Sequence, residues 1–225
     1  MLRRLLIAVL VLIVVGVVAL DRIGAHVAAH VLAGKLQSEE HLPERPSASI
    51  GGFPFLTQAF GGKYDDVSVT AHNVKTTDGV TISTLSAHLH GAHVPLSKVL
   101  HGSVSRVPVD RVDGKAFVAF GDLGRYLSTQ GATVTLNRSS AHGIDLTGRL
   151  PLAGKIRLVH AVVTVAVSNS VVTLSGPVRL RGITRELALR VPLRALPFRF
   201  TITSVTVGAD GISGTGTAKH VELGS

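Results

Sequence analysis

The spacing of apolar positions changes along this chain from continuous, to helical, to alternating. Leu5 to Leu20 is an unbroken apolar run, bracketed by Arg3 and Arg4 before it and by Asp21 and Arg22 after it. A helix of that length spans about 24 Å, slightly less than a ~30 Å hydrocarbon core. From Asp21 to Leu36 the apolar residues thin to Ile23, Val27, Val31, Leu32 and Leu36. That spacing predicts an amphipathic helix ending near Gln37-Ser38-Glu39-Glu40, before Pro43. The stretch from Pro43 to Pro46 is too short a linker to separate domains.

Beyond it the period is two. Val67, Val69 and Ala71 face one way, with Ser68, Thr70 and His72 opposite; Leu85, Ala87 and Leu89 alternate with Ser86, His88 and His90. Ile144 and Leu146 precede a break at Gly148, Val159 to Val167 makes one long apolar face, and Phe198, Phe200 and Ile202 make another. These read as half-buried antiparallel strands joined by turn signals at Asp78-Gly79, Asp113-Gly114 and Asp210-Gly211. Phe120 to Thr129 predicts a short helix carrying Leu123, Tyr126 and Leu127, and Val94 to Leu100 a turn or second short helix. The expectation is an α+β chain with residues 1–20 as signal peptide or membrane anchor and residues 21–225 as a single domain dominated by an antiparallel sheet. Its inward faces are rich in Val and Ala, with few rings to fill the centre. Either the sheet packs on itself or it leaves a groove, and acyl chains suit such a groove because each buried methylene contributes about 0.8 kcal/mol without directional partners.

Composition narrows the function. Arg3 and Arg4 hold the start of the apolar run on the cytoplasmic side, which places the remainder outside that membrane. No cysteine is present, so stability must come from packing rather than disulfides. The net charge of +9 is concentrated in Arg179, Arg181, Arg185, Arg190, Arg194 and Arg199, with Glu186 the one acid in that interval. Such a stripe suits an anionic headgroup or membrane surface. Nucleic acid is excluded as a partner by export and by the lack of aromatic platforms beyond Phe198 and Phe200 in the basic segment.

Catalytic chemistry is not marked. His88-x-His90-x-x-His93 is the best metal candidate among 11 histidines, but it lies on a polar strand face with no acid beside it in sequence, and the reading is surface histidines with no metal and no cofactor. A G-x-S-x-G elbow is absent. Asp65-Asp66 and Glu39-Glu40 are adjacent pairs, poor geometry for acid/base work. The Gly-Lys dipeptides lack the spacing of a phosphate loop. No catalytic residue is assigned, and the chain reads as a non-enzyme.

The densest signal is Gly52-Phe53-Pro54-Phe55-Leu56-Thr57-Gln58, followed by Phe60, Gly61-Gly62, Tyr64 and Val67-x-Val69. Three of seven Phe fall here, in a chain without Trp. On pattern alone the cluster is either a turn plugging the core or the entrance to an apolar cavity. Together with the N-terminal apolar helix, Val94-Pro95-Leu96, Leu196-Pro197-Phe198 and Gly211-Ile212, this segment resembles the LmeA-like phospholipid-binding family of actinobacterial envelope proteins. The resemblance implies an exported, periplasmic or envelope protein whose long curved antiparallel sheet wraps against the N-terminal amphipathic helix, as in tubular lipid-binding domains. It also implies phospholipid binding in support of envelope lipid or glycolipid biogenesis, and it brings no catalytic residues. On this reading Val67, Val69, Leu85, Leu89, Val163, Val165, Phe198 and Phe200 line the acyl site, Phe53, Phe55, Leu56 and Phe60 stand at its mouth, and Arg179 to Arg194 meet headgroups. The alternative is an interaction module that docks on an envelope glycosyltransferase or another membrane enzyme without carrying lipid.

Overall fold

The computed structural model describes residues 2–76, 79–95, 98, 106–152, 155–168, 171–180, 183–192 and 201–223. A single helix, α1 (Leu2–Glu39), joins the apolar run to the amphipathic stretch without a break. It is followed by β1 (Ser47–Ile50), α2 (Phe55–Gly61), β2 (Lys63–Lys75), β3 (Thr81–His93), β4 (Val107–Ala119) and α3 (Phe120–Thr129). Then come β5 (Thr133–Arg138), β6 (Gly143–Leu152), β7 (Lys155–Ser168), β8 (Val171–Leu180), β9 (Ile183–Pro192), β10 (Thr201–Val207) and β11 (Gly211–Leu223). The strands form two antiparallel sheets, ordered β1-β2-β3-β4-β11-β10 and β5-β6-β7-β8-β9, and neither closes into a barrel among the described residues. The α+β class and the N-terminal helix packed on a long-stranded antiparallel sheet agree with the sequence; the division into two sheets is not legible in the periodicity.

The helix face turned to the sheet is not the one its large aliphatics predict. Asp21, Ala25, Ala29 and Ala33 are buried, whereas Ile23, Val27 and Val31 are at least half exposed. A stripe of small residues at every fourth position lets α1 lie close to the edge strand β1, with Leu32 filling the flank. Ile23, Val27 and Val31 are left pointing outward.

In the first sheet the alternation slips once. Buried positions are Tyr64 and Val67 on β2, Val109 and Val112 on β4, and Ala218 and Val221 on β11, each pair three apart instead of two or four. Between them runs a row in which Gly91 and His220 adopt left-handed backbone, with φ of 65° and 51°. One such residue reverses which way the strand's side chains point, so both halves of these 13-residue strands keep an apolar side toward α1 and α2. Gly91 suits the row because a Cβ there would overlap the Asp110 carboxylate.

Two turn expectations fail. Asp113-Gly114 lies mid-strand in β4, with Asp113 opposite His88 and Thr217 and Gly114 opposite Ala87 and Gly216. Gly148 does not end its strand either: β6 continues through it to Leu152, and the missing side chain admits the backbone of Thr133 and Val134. Asp210-Gly211 does turn the chain between β10 and β11, closed by Gly208 N–H to Gly211 O at 2.8 Å. Asp78, and residues 96, 97, 99 and 100 of the Val94–Leu100 reading, lie outside the described residues.

The predicted helix at Phe120–Thr129 joins the two sheets. Ala119 N–H donates to Ser83 Oγ at 2.8 Å, Ser83 donates to Asp122 at 2.5 Å, and Arg125 reaches the other Asp122 oxygen at 2.7 Å. The apolar side of α3 (Phe120, Leu123, Tyr126, Leu127) covers Leu136, Ile144, Leu146, Val159, Ala161, Val163 and Val165 of the second sheet.

Candidate lipid-facing surface at the base of the N-terminal helix

The segment Gly52–Gly62 is built as a clasp on α1 where the apolar run ends. Asp21, 1% exposed, accepts the Leu56 N–H at 2.8 Å. This satisfies one of the free donors at the start of α2, whose N-cap Pro54 has no side chain able to do so. A cis Phe53–Pro54 bond and left-handed backbone at Gly52 (φ 86°) turn the chain into that position. A side chain at Gly52 would collide with the amide of Gln58. Gln58 itself is nearly buried; its Nε2 donates to Gly51 O at 3.3 Å and its Oε1 accepts Asp65 N–H at 2.9 Å. Thr57 Oγ1 donates to Pro54 O at 2.8 Å. Gly62 ends α2, its N–H donating to Ala59 O at 3.3 Å. Each residue type of the sequence signature therefore has a local task.

The aromatics of that segment divide by face. Phe55 is 7% exposed, against Gly24 of α1 and tilted against Tyr64 with ring centroids 6.3 Å apart. Burial raises the Tyr64 phenol above its ordinary pKa. Leu56 and Phe60, one helical turn apart on the other side of α2, are 38% and 79% exposed. Phe53 is 56% exposed, with the Arg22 guanidinium 5.1 Å from its ring centroid. Phe55 is therefore core, while Phe53, Leu56 and Phe60 form an outward apolar patch.

The remaining lining residues separate into two groups. Val67 is buried and Val69, Leu85 and Leu89 are half-buried on the inner face of the first sheet. Val163 and Val165 are buried in the second sheet, under α3. Phe198 and Phe200 lie outside the described residues, as do Arg181 and Arg194; Arg179 lies on β8, and Arg185 and Arg190 on β9.

The histidine series does not converge. His88 Nδ1 meets Ser68 Oγ at 2.9 Å, and His93 meets Asp110 at 3.3 Å. His90 stands between Asp66 at 3.6 Å and Asp113 at 3.2 Å. No group of three or more potential ligands gathers among the described residues. The acids beside His90 were invisible in sequence because they arrive from β2 and β4. Asp113 also pairs with Arg111 at 2.7 Å. Partial burial raises its carboxyl pKa, but the Thr217 hydroxyl and the Arg111 guanidinium outweigh this and hold it below the ordinary carboxylate value.

Two features were missed by sequence reasoning. Asp21 read only as the polar end of the apolar run, whereas it is the acceptor that fixes α2. The outward Ile23, Val27 and Val31 read as core. Mapping the every-fourth-residue spacing of Ala25, Ala29 and Ala33 would have offered a competing inward face.

Comparison with curated proteins and with solved structures gives no match. Residues 19–217, which contain the Asp21 clasp, α2 and both sheets but for the end of β11, match the model of the LmeA-like phospholipid-binding proteins, and the chain belongs to that family.

Proposed function

We propose that this protein binds phospholipid, without catalysing a reaction, on the outer side of the cytoplasmic membrane of an actinobacterium, and supports envelope lipid or glycolipid biogenesis there. The observation that carries the proposal is the outward patch of Phe53, Leu56 and Phe60, fixed through Asp21 to the end of the apolar run. With Leu5–Leu20 in a bilayer, that patch stands at the headgroup level, where lipid enters and leaves. The half-buried row Val69, Leu85, Ala87 and Leu89 is the acyl-chain surface on this reading, since a helix packed mainly on β1 leaves β3 partly uncovered. Anionic lipid is favoured by the charge of +9. Residues 1–20 act as signal or anchor and residues 21–225 as one lipid-binding domain.

Native mass spectrometry of the protein from an actinobacterial host, with lipid extraction alongside, tests this. A stoichiometric phospholipid that survives purification supports it and names the headgroup class. An apo mass with no uptake from anionic vesicles overturns it. The exposed stripe Ile23, Val27 and Val31 favours a second reading, in which α1 docks on a membrane enzyme such as an envelope glycosyltransferase. Crosslinking from Val27 would then capture one specific protein.

A further inference from the structure

The end of the second sheet farthest from α2 carries an apolar pair that no element covers among the described residues. Along β7 the inner positions Val159, Ala161, Val163 and Val165 are buried, whereas Ile156 and Leu158 are 71% and 75% exposed. They stand opposite Pro151 and Arg149 of β6, both exposed, and directly opposed residues share a face. Lys155 and Arg157, also exposed, alternate with the pair and so belong to the other face of β7 at the same end. No acid occurs in the sequence between Asp145 and Glu186.

The position of this end follows from the contacts. Clasp and apolar run lie at the Lys63 end of the first sheet. The second sheet joins at the opposite end, where Val165 N–H donates to His142 O and Val207 N–H to Ala141 O, both at 2.8 Å. From that junction α3 runs onward, and its Tyr126 reaches the β2–β3 turn at Gly79. From Val165 to Lys155, β7 extends about 33 Å. The exposed pair therefore lies beyond that junction, which is at the opposite end of the first sheet from the base of α1.

We propose that the paired ends of β6 and β7, at residues 149–151 and 155–158, form a second membrane-contact surface, which seats on an anionic lipid bilayer other than the one holding α1. An acid-free cationic end meets anionic headgroups, and Ile156 and Leu158 enter the interface between them. A soluble polyanion would satisfy the charges but gain nothing from two exposed aliphatics. The surface rests on the preceding reading only in taking α1 as the anchor; it does not require acyl chains in the first sheet.

The test holds the full chain in phosphatidylcholine nanodiscs and asks whether sucrose-loaded vesicles carry the nanodisc scaffold into the pellet. Vesicles of phosphatidylglycerol and phosphatidylcholine are expected to do so, and vesicles of phosphatidylcholine alone are not. The triple variant Arg149→Ser/Lys155→Ser/Arg157→Ser lowers capture about 100-fold, since each basic residue near an anionic surface is worth about 1 kcal/mol. The double variant Ile156→Ser/Leu158→Ser lowers it about tenfold, through the partial burial of two aliphatic side chains. Both variants keep the wild-type unfolding temperature and lipid content, because all five residues are exposed. Failure of the wild type to be captured overturns the proposal. So does capture of the double variant at wild-type strength, which would show that charge alone holds the vesicle and that Ile156 and Leu158 do not enter it. Failure of the lipid-binding reading would be seen instead as an apo mass in an otherwise capturing protein.

Discussion

The two sheets bury similar residue types to different depths. In the second, Ile144, Val159, Ala161, Val163 and Val165 are all 3% exposed or less, under the four apolar side chains of α3. In the first, only Val67 and Ala71 of the alternating β2 face are buried, and Val69, Leu85, Ala87 and Leu89 remain half-buried. The difference lies in the covering helix. On the first sheet α1 presents alanines along the edge strand β1 and the short α2 covers the Lys63 end, while on the second α3 presents Phe, Leu and Tyr to the centre. Small side chains at the margin leave this part of the face, on β2 and β3, only half-buried, although Val109 and Val112 of β4 are 2% exposed. Aliphatic alternation therefore marks a strand's inner face without stating whether protein or something else completes the burial.

This contrast can be broken by experiment. The largest effect is expected at the closed cluster: Ile144→Ala removes a side chain that is 1% exposed and should destabilise the protein by about 2–5 kcal/mol in denaturant unfolding. Leu89→Ala, on the open face, should cost only about 1 kcal/mol because part of its surface is already uncovered. It should, however, lower the phospholipid content measured after purification. A loss matching that of Ile144→Ala, with lipid content unchanged, would show that the first sheet is as closed as the second and remove it as the acyl site.

The smallest effect is on the polar side of the first sheet. The carboxyl of Asp113 has its pKa lowered in the fold, so its ionised form stabilises the protein above the ordinary carboxylate range, near pH 4. That contribution falls away as the pH drops through the lowered value. Thermal unfolding of Asp113→Asn should lie slightly below wild type at neutral pH, and the two curves should converge in acid. The gap is small because the side chain is 39% exposed. A gap independent of pH would assign Asp113 a role in hydrogen bonding alone.

Much of the fold and part of the site were written locally. The apolar run, the strand alternation and the helix at Phe120–Thr129 depend on neighbours a few residues apart, and pattern reports such neighbours well. The clasp segment was conspicuous for the same reason: Gly52, Pro54, Gln58 and Gly62 act on one another within a single turn and its helix. Its division into an inward Phe55 and outward Phe53, Leu56 and Phe60 was not conspicuous, because that depends on where α1 lies.

By itself, the sequence determined the class of the protein, its N-terminal apolar helix and its family. Only the tertiary structure decided which face of α1 is buried, that the strands divide into two sheets, that Asp113-Gly114 is strand and not turn, and that Asp66 and Asp113 flank His90. Those outcomes rest on contacts between residues far apart in the chain, such as Asp21 with Leu56 and Ser83 with Asp122. Local spacing fixes which way a side chain points relative to its own backbone; what it meets there depends on how separate elements pack.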